Sequence, residues 1–129
     1  MVRRVSIFVI ILIGGILAAG SAITNADCTL KNLPNLNYGT TTCRLNDDAK
    51  AHLAKVAQLW REHNKTNAPC NIAIVGNPAA GEESQEKVDC RLGVIKRHLM
   101  NTEGIDSKYL MVEASGKAKD ENLFEFKTR

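Results

Sequence analysis

Asn71-Ile72-Ala73-Ile74-Val75-Gly76-Asn77-Pro78 is the stretch that decides the fold. Ile72 to Val75 is a continuous apolar run. Pro69 precedes it and Gly76-Asn77-Pro78 closes it, the pattern of a short strand buried on both faces near the centre of a sheet. Each side of it predicts a helix. Upstream, Asn46-Asp47-Asp48 opens one: Asn46 is a good N-cap, and the two aspartates suit the positive end of the helix dipole. Ala49, Leu53, Val56, Ala57 and Trp60 recur at helical spacing, and the pattern stops near His63-Asn64. Downstream, Gly81 to Ser84 reads as a loop, and Val88, Leu92, Ile95 and Leu99 then form the stripe of a second helix.

Further out lie three more strands. Leu33 to Tyr38 alternates, with Leu36 and Tyr38 on one face, and Pro34 confines its start to a sheet edge. Glu103-Gly104-Ile105-Asp106-Ser107 turns the chain into a strand at Tyr109 to Val112. Gly116 to Asp120 is a polar turn, and Leu123, Phe124 and Phe126 lie in a final strand. The order β-α-β-α-β-β predicts an α/β chain of α+β two-layer type. A small mixed sheet carries both helices on one face, with right-handed crossovers between parallel strands and the last two strands paired as a hairpin.

The chain has 129 residues, enough for one domain. Residues 1–26 read as a signal peptide or an N-terminal membrane anchor. Arg3 and Arg4 form a basic start, Val5 to Gly20 carries no charge, and Ala18-Ala19-Gly20-Ser21-Ala22 supplies the small residues of a cleavage region. The uncharged stretch continues to Ala26, long enough to span a bilayer, so anchoring through residues 5–26 stays open. Both readings carry residues 27–129 across a membrane. Lipidation of Cys28 is disfavoured by Asp27 directly before it.

Cys28, Cys43, Cys70 and Cys90 all follow this segment. An even number in an exported domain implies two disulfides. No C-x-x-C occurs and the histidines have no ligand spacing to the cysteines, so a zinc site is not indicated. The topology sorts the pairings. Cys28 and Cys70 each precede a parallel strand and share one edge of the sheet. Cys43 follows the first strand and Cys90 lies early in the helix after the second, so these share the opposite edge. Cys28–Cys70 and Cys43–Cys90 are therefore expected.

The formal charge of +3 includes Arg3 and Arg4, so the exported part is nearly neutral. No basic run is interleaved with aromatics, and nucleic-acid binding has no footprint. His52, His63 and His98 are dispersed, without a nucleophile or carboxylate at motif spacing. No serine sits in a G-x-S-x-G setting and no lysine follows Gly76 and Gly81 as a phosphate loop requires. Neither an enzyme nor a cofactor is expected. Trp60 belongs to the apolar helix stripe.

Leu36-Asn37-Tyr38 with Leu45 and a capped helix, Asn71 to Gly76, Arg91 in a helix ending at His98-Leu99, Gly104-Ile105 and Ala114-Ser115-Gly116 occur in the order and spacing of the OmpA-like, peptidoglycan-associated domains of bacterial envelopes. The exported part resembles that family over nearly its whole length. The resemblance implies a site in which an aspartate after the second strand and a helical arginine hold the zwitterionic end of a diaminopimelate stem peptide. A carboxylate suits the ammonium and a guanidinium forks onto the carboxylate. Here the corresponding loop, Gly76 to Gly81, is shorter and has no acid. Asn77 offers only a neutral acceptor. Arg91 carries over. Asp89 is a candidate replacement carboxylate, although an acid early in a helix is equally explained by the dipole, and Arg91 has the simpler reading of a solvated helix cation.

The expectation is a non-enzymatic, periplasmic protein of the cell envelope. It is a divergent OmpA-like domain acting as a structural or accessory subunit of a secretion, conjugation or motility type of assembly. The alternatives are a peptidoglycan-binding module using Arg91, Asn77 and Asp89, and a small secreted, disulfide-stapled effector or inhibitor.

Overall fold

A computed structural model describes residues 28–129. The segment 1–26 and the choice between signal peptide and anchor lie outside the described residues. The elements are β1 (Leu36–Asn37), α1 (Asp47–Asn64), β2 (Ile72–Gly76), α2 (Glu82–Asn101), a single 3-10 turn (Ser107–Tyr109), β3 (Leu110–Ala114) and β4 (Leu123–Thr128). The sheet order is β1-β4-β2-β3. The described residues form an α+β fold, with two helices and a four-stranded mixed sheet. No helix among the described residues is long and apolar enough to cross a membrane.

Local chemistry sets the helix boundaries. The Asn46 side chain accepts from the Ala49 amide at 2.8 Å, as an N-cap should. Helix α2 begins earlier than the loop expected over Gly81 to Ser84. Gly81 takes φ 109°, a conformation open to glycine, and Glu82 and Glu83 already occupy the first turn. Strand β1 is shorter than Leu33 to Tyr38. Pro34 cannot donate to a ladder, yet Leu33 and Leu36 still reach the core.

One expectation fails. The last two strands do not form a hairpin. Instead β4 crosses the end of β2 and inserts between β1 and β2, antiparallel to both. Strand β3 pairs in parallel with β2, as a helical crossover requires, and takes the outer edge. Burial accounts for the choice. Phe124 and Phe126 are almost wholly buried. A strand hung outside β3 would leave both rings at the rim, whereas the slot beside β2 places them under the helices. The edge position suits β3, where Val112 is exposed.

The core lies between sheet and helices. Leu53, Val56 and Trp60 of α1 and Val88, Leu92, Ile95 and Leu99 of α2 pack on Ile72, Ile74, Phe124 and Phe126. The Trp60 indole N–H donates to the Cys70 carbonyl at 2.8 Å, so its burial leaves no donor unpaired. Ala73 and Val75 point to the helix-free face yet are also buried. Their register partners explain it: Val75 lies between Glu113 and Glu125, and Ala73 between Met111 and Lys127. Long charged side chains roof this face with their alkyl stems while Arg129 pairs with Glu113, and Lys127 with Glu125.

Both disulfides pair as expected, Cys28–Cys70 and Cys43–Cys90, with sequence separations of 42 and 47. Strands β1 and β2 are not neighbours, but each is antiparallel to β4, so they point the same way and their starts share an edge. By loop-closure entropy each bridge contributes about 4 kcal/mol before strain.

Gly76 ends β2 where α2 crosses closest. A Cβ there would lie 2.5 Å from Val88 Cγ1 and 3.2 Å from Leu92 Cδ1. Gly76→Ala is therefore expected to destabilise the oxidised domain by about 1–3 kcal/mol through overpacking, read as a lower urea midpoint with both disulfides intact.

Candidate functional site

Arg91 follows Cys90 on α2, and the Cys43–Cys90 bridge holds the loop between β1 and α1 against that turn of the helix. The Arg91 side chain consequently runs beneath this loop and is fully buried. Its Nε donates to the Thr42 carbonyl at 3.2 Å and its Nη2 to the Thr40 carbonyl at 2.8 Å. Its Nη1 donates to the Glu121 carbonyl at 2.9 Å and to Asn122 Oδ1 at 2.8 Å. The guanidinium carbon lies 4.3 Å from the centre of the Tyr38 ring, a cation–π contact. The Tyr38 hydroxyl donates to the Cys43 carbonyl at 3.0 Å.

The electrostatics follow from burial. Desolvation pulls the Arg91 pKa below its usual range, opposed by the nearby Tyr38 and Glu121. Desolvation raises that of Tyr38, opposed by Arg91. Next to them Lys87 and Glu121 form an ion pair at 2.7 Å. The hydrogen bond from Lys87, and then one involving Ser84, hold the Glu121 carboxyl below the usual carboxylate range.

Asn77 is also fully buried. Its Nδ2 donates to the Leu123 carbonyl at 3.1 Å, and its Oδ1 accepts from Ser115 Oγ at 2.7 Å. Asn77 and Arg91 thus share one job. Both hold the connection from β3 to β4 where it passes over the end of β2. Asp89 is exposed and forms no ion pair with a described residue. It stands two positions from Arg91 on α2, and residues so spaced do not face each other. Arg91, which the resemblance implies as a ligand contact, and Asn77 and Asp89, the candidates to stand in for the missing acid, therefore do not converge on one opening. The Gly76–Gly81 loop spends the Ala79 amide on Ser84 Oγ at 2.9 Å.

The histidines are spread out. His52 contacts the Pro34 carbonyl and His63 the Thr29 hydroxyl. His98 has a buried Nε2 without a hydrogen-bond partner among the described residues, 3.8 Å from Glu103 Oε2. Among the described residues no three His, Cys, Asp or Glu side chains cluster as metal ligands would.

A feature that sequence reading missed is an open groove beside the Cys43–Cys90 bridge, lined in part by Arg44, Lys50 and Arg97. The signal was present only in hindsight. Arg97 lies two helical turns beyond Cys90 and so on the same side of α2.

Comparison of the chain with protein-family models and with curated proteins finds no match.

Two outcomes are expected. Arg91→Ala leaves the Thr40, Thr42 and Glu121 carbonyls without their donor, and should cost about 3 kcal/mol or more in urea unfolding. Arg91→Lys should recover only part, because an ammonium cannot fork across both loops. For His98, burial lowers the pKa, Glu103 opposes this, and Lys50 adds to the lowering. The unfolded chain then binds the proton more readily, so stability is full above pH ~6.5 and falls as pH drops through the lowered folded value. Unfolding midpoints across this range should fall for the wild type and flatten in His98→Gln.

Proposed function

We propose that the chain is a non-catalytic subunit of a cell-envelope assembly, an exported domain of OmpA-like descent kept for contacts with other proteins. The element order on which the resemblance rests is retained, and two disulfides suit an oxidising compartment. The observation that carries the reading is the inward turn of Arg91. In the peptidoglycan-binding alternative its guanidinium would grip a ligand carboxylate. Here its donors are taken by Thr40, Thr42, Glu121 and Asn122, and Tyr38 lies against its face. Asn77, at the place of the missing acid, is likewise occupied inside the protein. A guanidinium that left these carbonyls for a stem peptide would orphan them in the interior, a loss comparable to what the new bond could return.

Sedimentation of the oxidised domain with purified diaminopimelate-type peptidoglycan tests this. The domain is expected to stay in the supernatant and to copurify with envelope proteins from membranes. Saturable pelleting of the wild type would replace this reading with the wall-binding one.

A further inference from the structure

We propose that the open groove beside the Cys43–Cys90 bridge docks an acidic, partly apolar peptide segment of a partner protein. This rests on the protein-contact reading above and gives that contact a place and a chemistry. The groove is open, offers about 550 Å³, and follows one side of α2 from Cys90 to Asn101. That is about three helical turns, or roughly 16 Å, the length of about five residues of extended chain.

Its charge has one sign. Arg44, Lys50 and Arg97 line it, all exposed, and no Asp or Glu among the described residues does. None of the three forms an ion pair with a described carboxylate, whereas Lys127 and Arg129 on the helix-free sheet face each pair with a glutamate. The exported part is nearly neutral overall, so the excess is local. The Arg97 guanidinium folds back along α2, its Nη1 3.4 Å from where a Cβ at Gly93 would lie.

Charge alone would suit any polyanion. The rest of the lining favours a peptide. Leu45 and Val94 are half-buried and offer apolar contact beside the cations. Sulfated or phosphorylated glycans have little use for such a surface. A peptide mixing acids with aliphatic side chains uses both, with charge setting partner choice and encounter rate and apolar contact adding affinity. The bridge joins the two walls, Cys43 on one and Cys90 on the other, with Cα atoms 6.0 Å apart. The groove is thereby organised before anything binds.

The test uses oxidised protein purified from cells that express the full chain. The probe is a labelled decapeptide of glutamate, aspartate and leucine, read by fluorescence anisotropy, with heparin as the rival polyanion. Saturable binding at low salt that weakens as salt is added is expected. Arg44→Glu combined with Arg97→Glu should weaken it by roughly tenfold or more. Lys117→Glu, a single charge reversal beside the helix-free sheet face, should alter it by less than about twofold. All the substituted positions are exposed, and unchanged urea midpoints establish that the variants are folded. No peptide binding at low salt overturns the proposal. So does equal weakening by Lys117→Glu, or binding of heparin but not peptide. The two readings fail separately. Pelleting of the wild type with cell wall defeats the protein-contact reading. Copurification with envelope proteins that survives in the doubly reversed variant overturns the groove and leaves that reading intact.

Discussion

The edge of the sheet where β1 and β2 end is held by one buried cation. The Arg91 guanidinium meets backbone carbonyls from two separate loops and the face of Tyr38. Neither loop has a strand partner at that point, so the guanidinium takes over a task that a ladder would otherwise perform. A charge without water is costly, and only good geometry on several acceptors offsets the loss. The dependence runs both ways. The carbonyls need the donors, and the donors need the carbonyls to remain charged inside the domain. Asn77 repeats the arrangement in neutral form on the next strand end. Around this edge the fold uses for its own cohesion the arginine that the family resemblance assigns to a ligand and the asparagine that stands near the place of the missing acid.

How much of this could be read beforehand depends on where each partner lies. Apolar periodicity is local, so α1, α2 and β2 were legible from their own residues. The disulfide pairing was legible because direction alone sorts four cysteines between two edges. The insertion of β4 was not, although Phe124 and Phe126 carried the hint: two large rings on one face ask for a covered slot, which an outer hairpin cannot give. The role of Arg91 was out of reach. Its acceptors lie 30 to 51 positions away, and no local pattern marks a polar residue as buried. Its neighbour offered the nearest clue. Once Cys90 is tied to Cys43, the next side chain has the threonine loop above it.

The two faces of the sheet solve burial differently. On one, two helices supply aliphatic stripes. On the other, charged side chains lie across Ala73 and Val75 and neutralise one another in pairs. The first gives a dry core, the second a thin cover whose polar ends stay in water. The groove along α2 follows neither pattern, since its cations form no ion pair with a described carboxylate.

The placement of β4 has a consequence in time. It is the last of the described elements in sequence and an interior strand in space, pairing with both β1 and β2. Synthesis from the N-terminus delivers β1, α1, β2, α2 and β3 before the strand that joins them. Until it emerges, β1 has no neighbour to pair with, and the Phe rings that seal the core are missing. Such non-local closure is slow to form. The cysteines emerge in the order 28, 43, 70, 90, while the native bridges interleave. The first two thiols to appear are therefore not partners, and oxidation in order of arrangement along the chain would trap the wrong loop. The native pairing then requires either that such a bond be exchanged or that oxidation wait until β4 has joined the sheet.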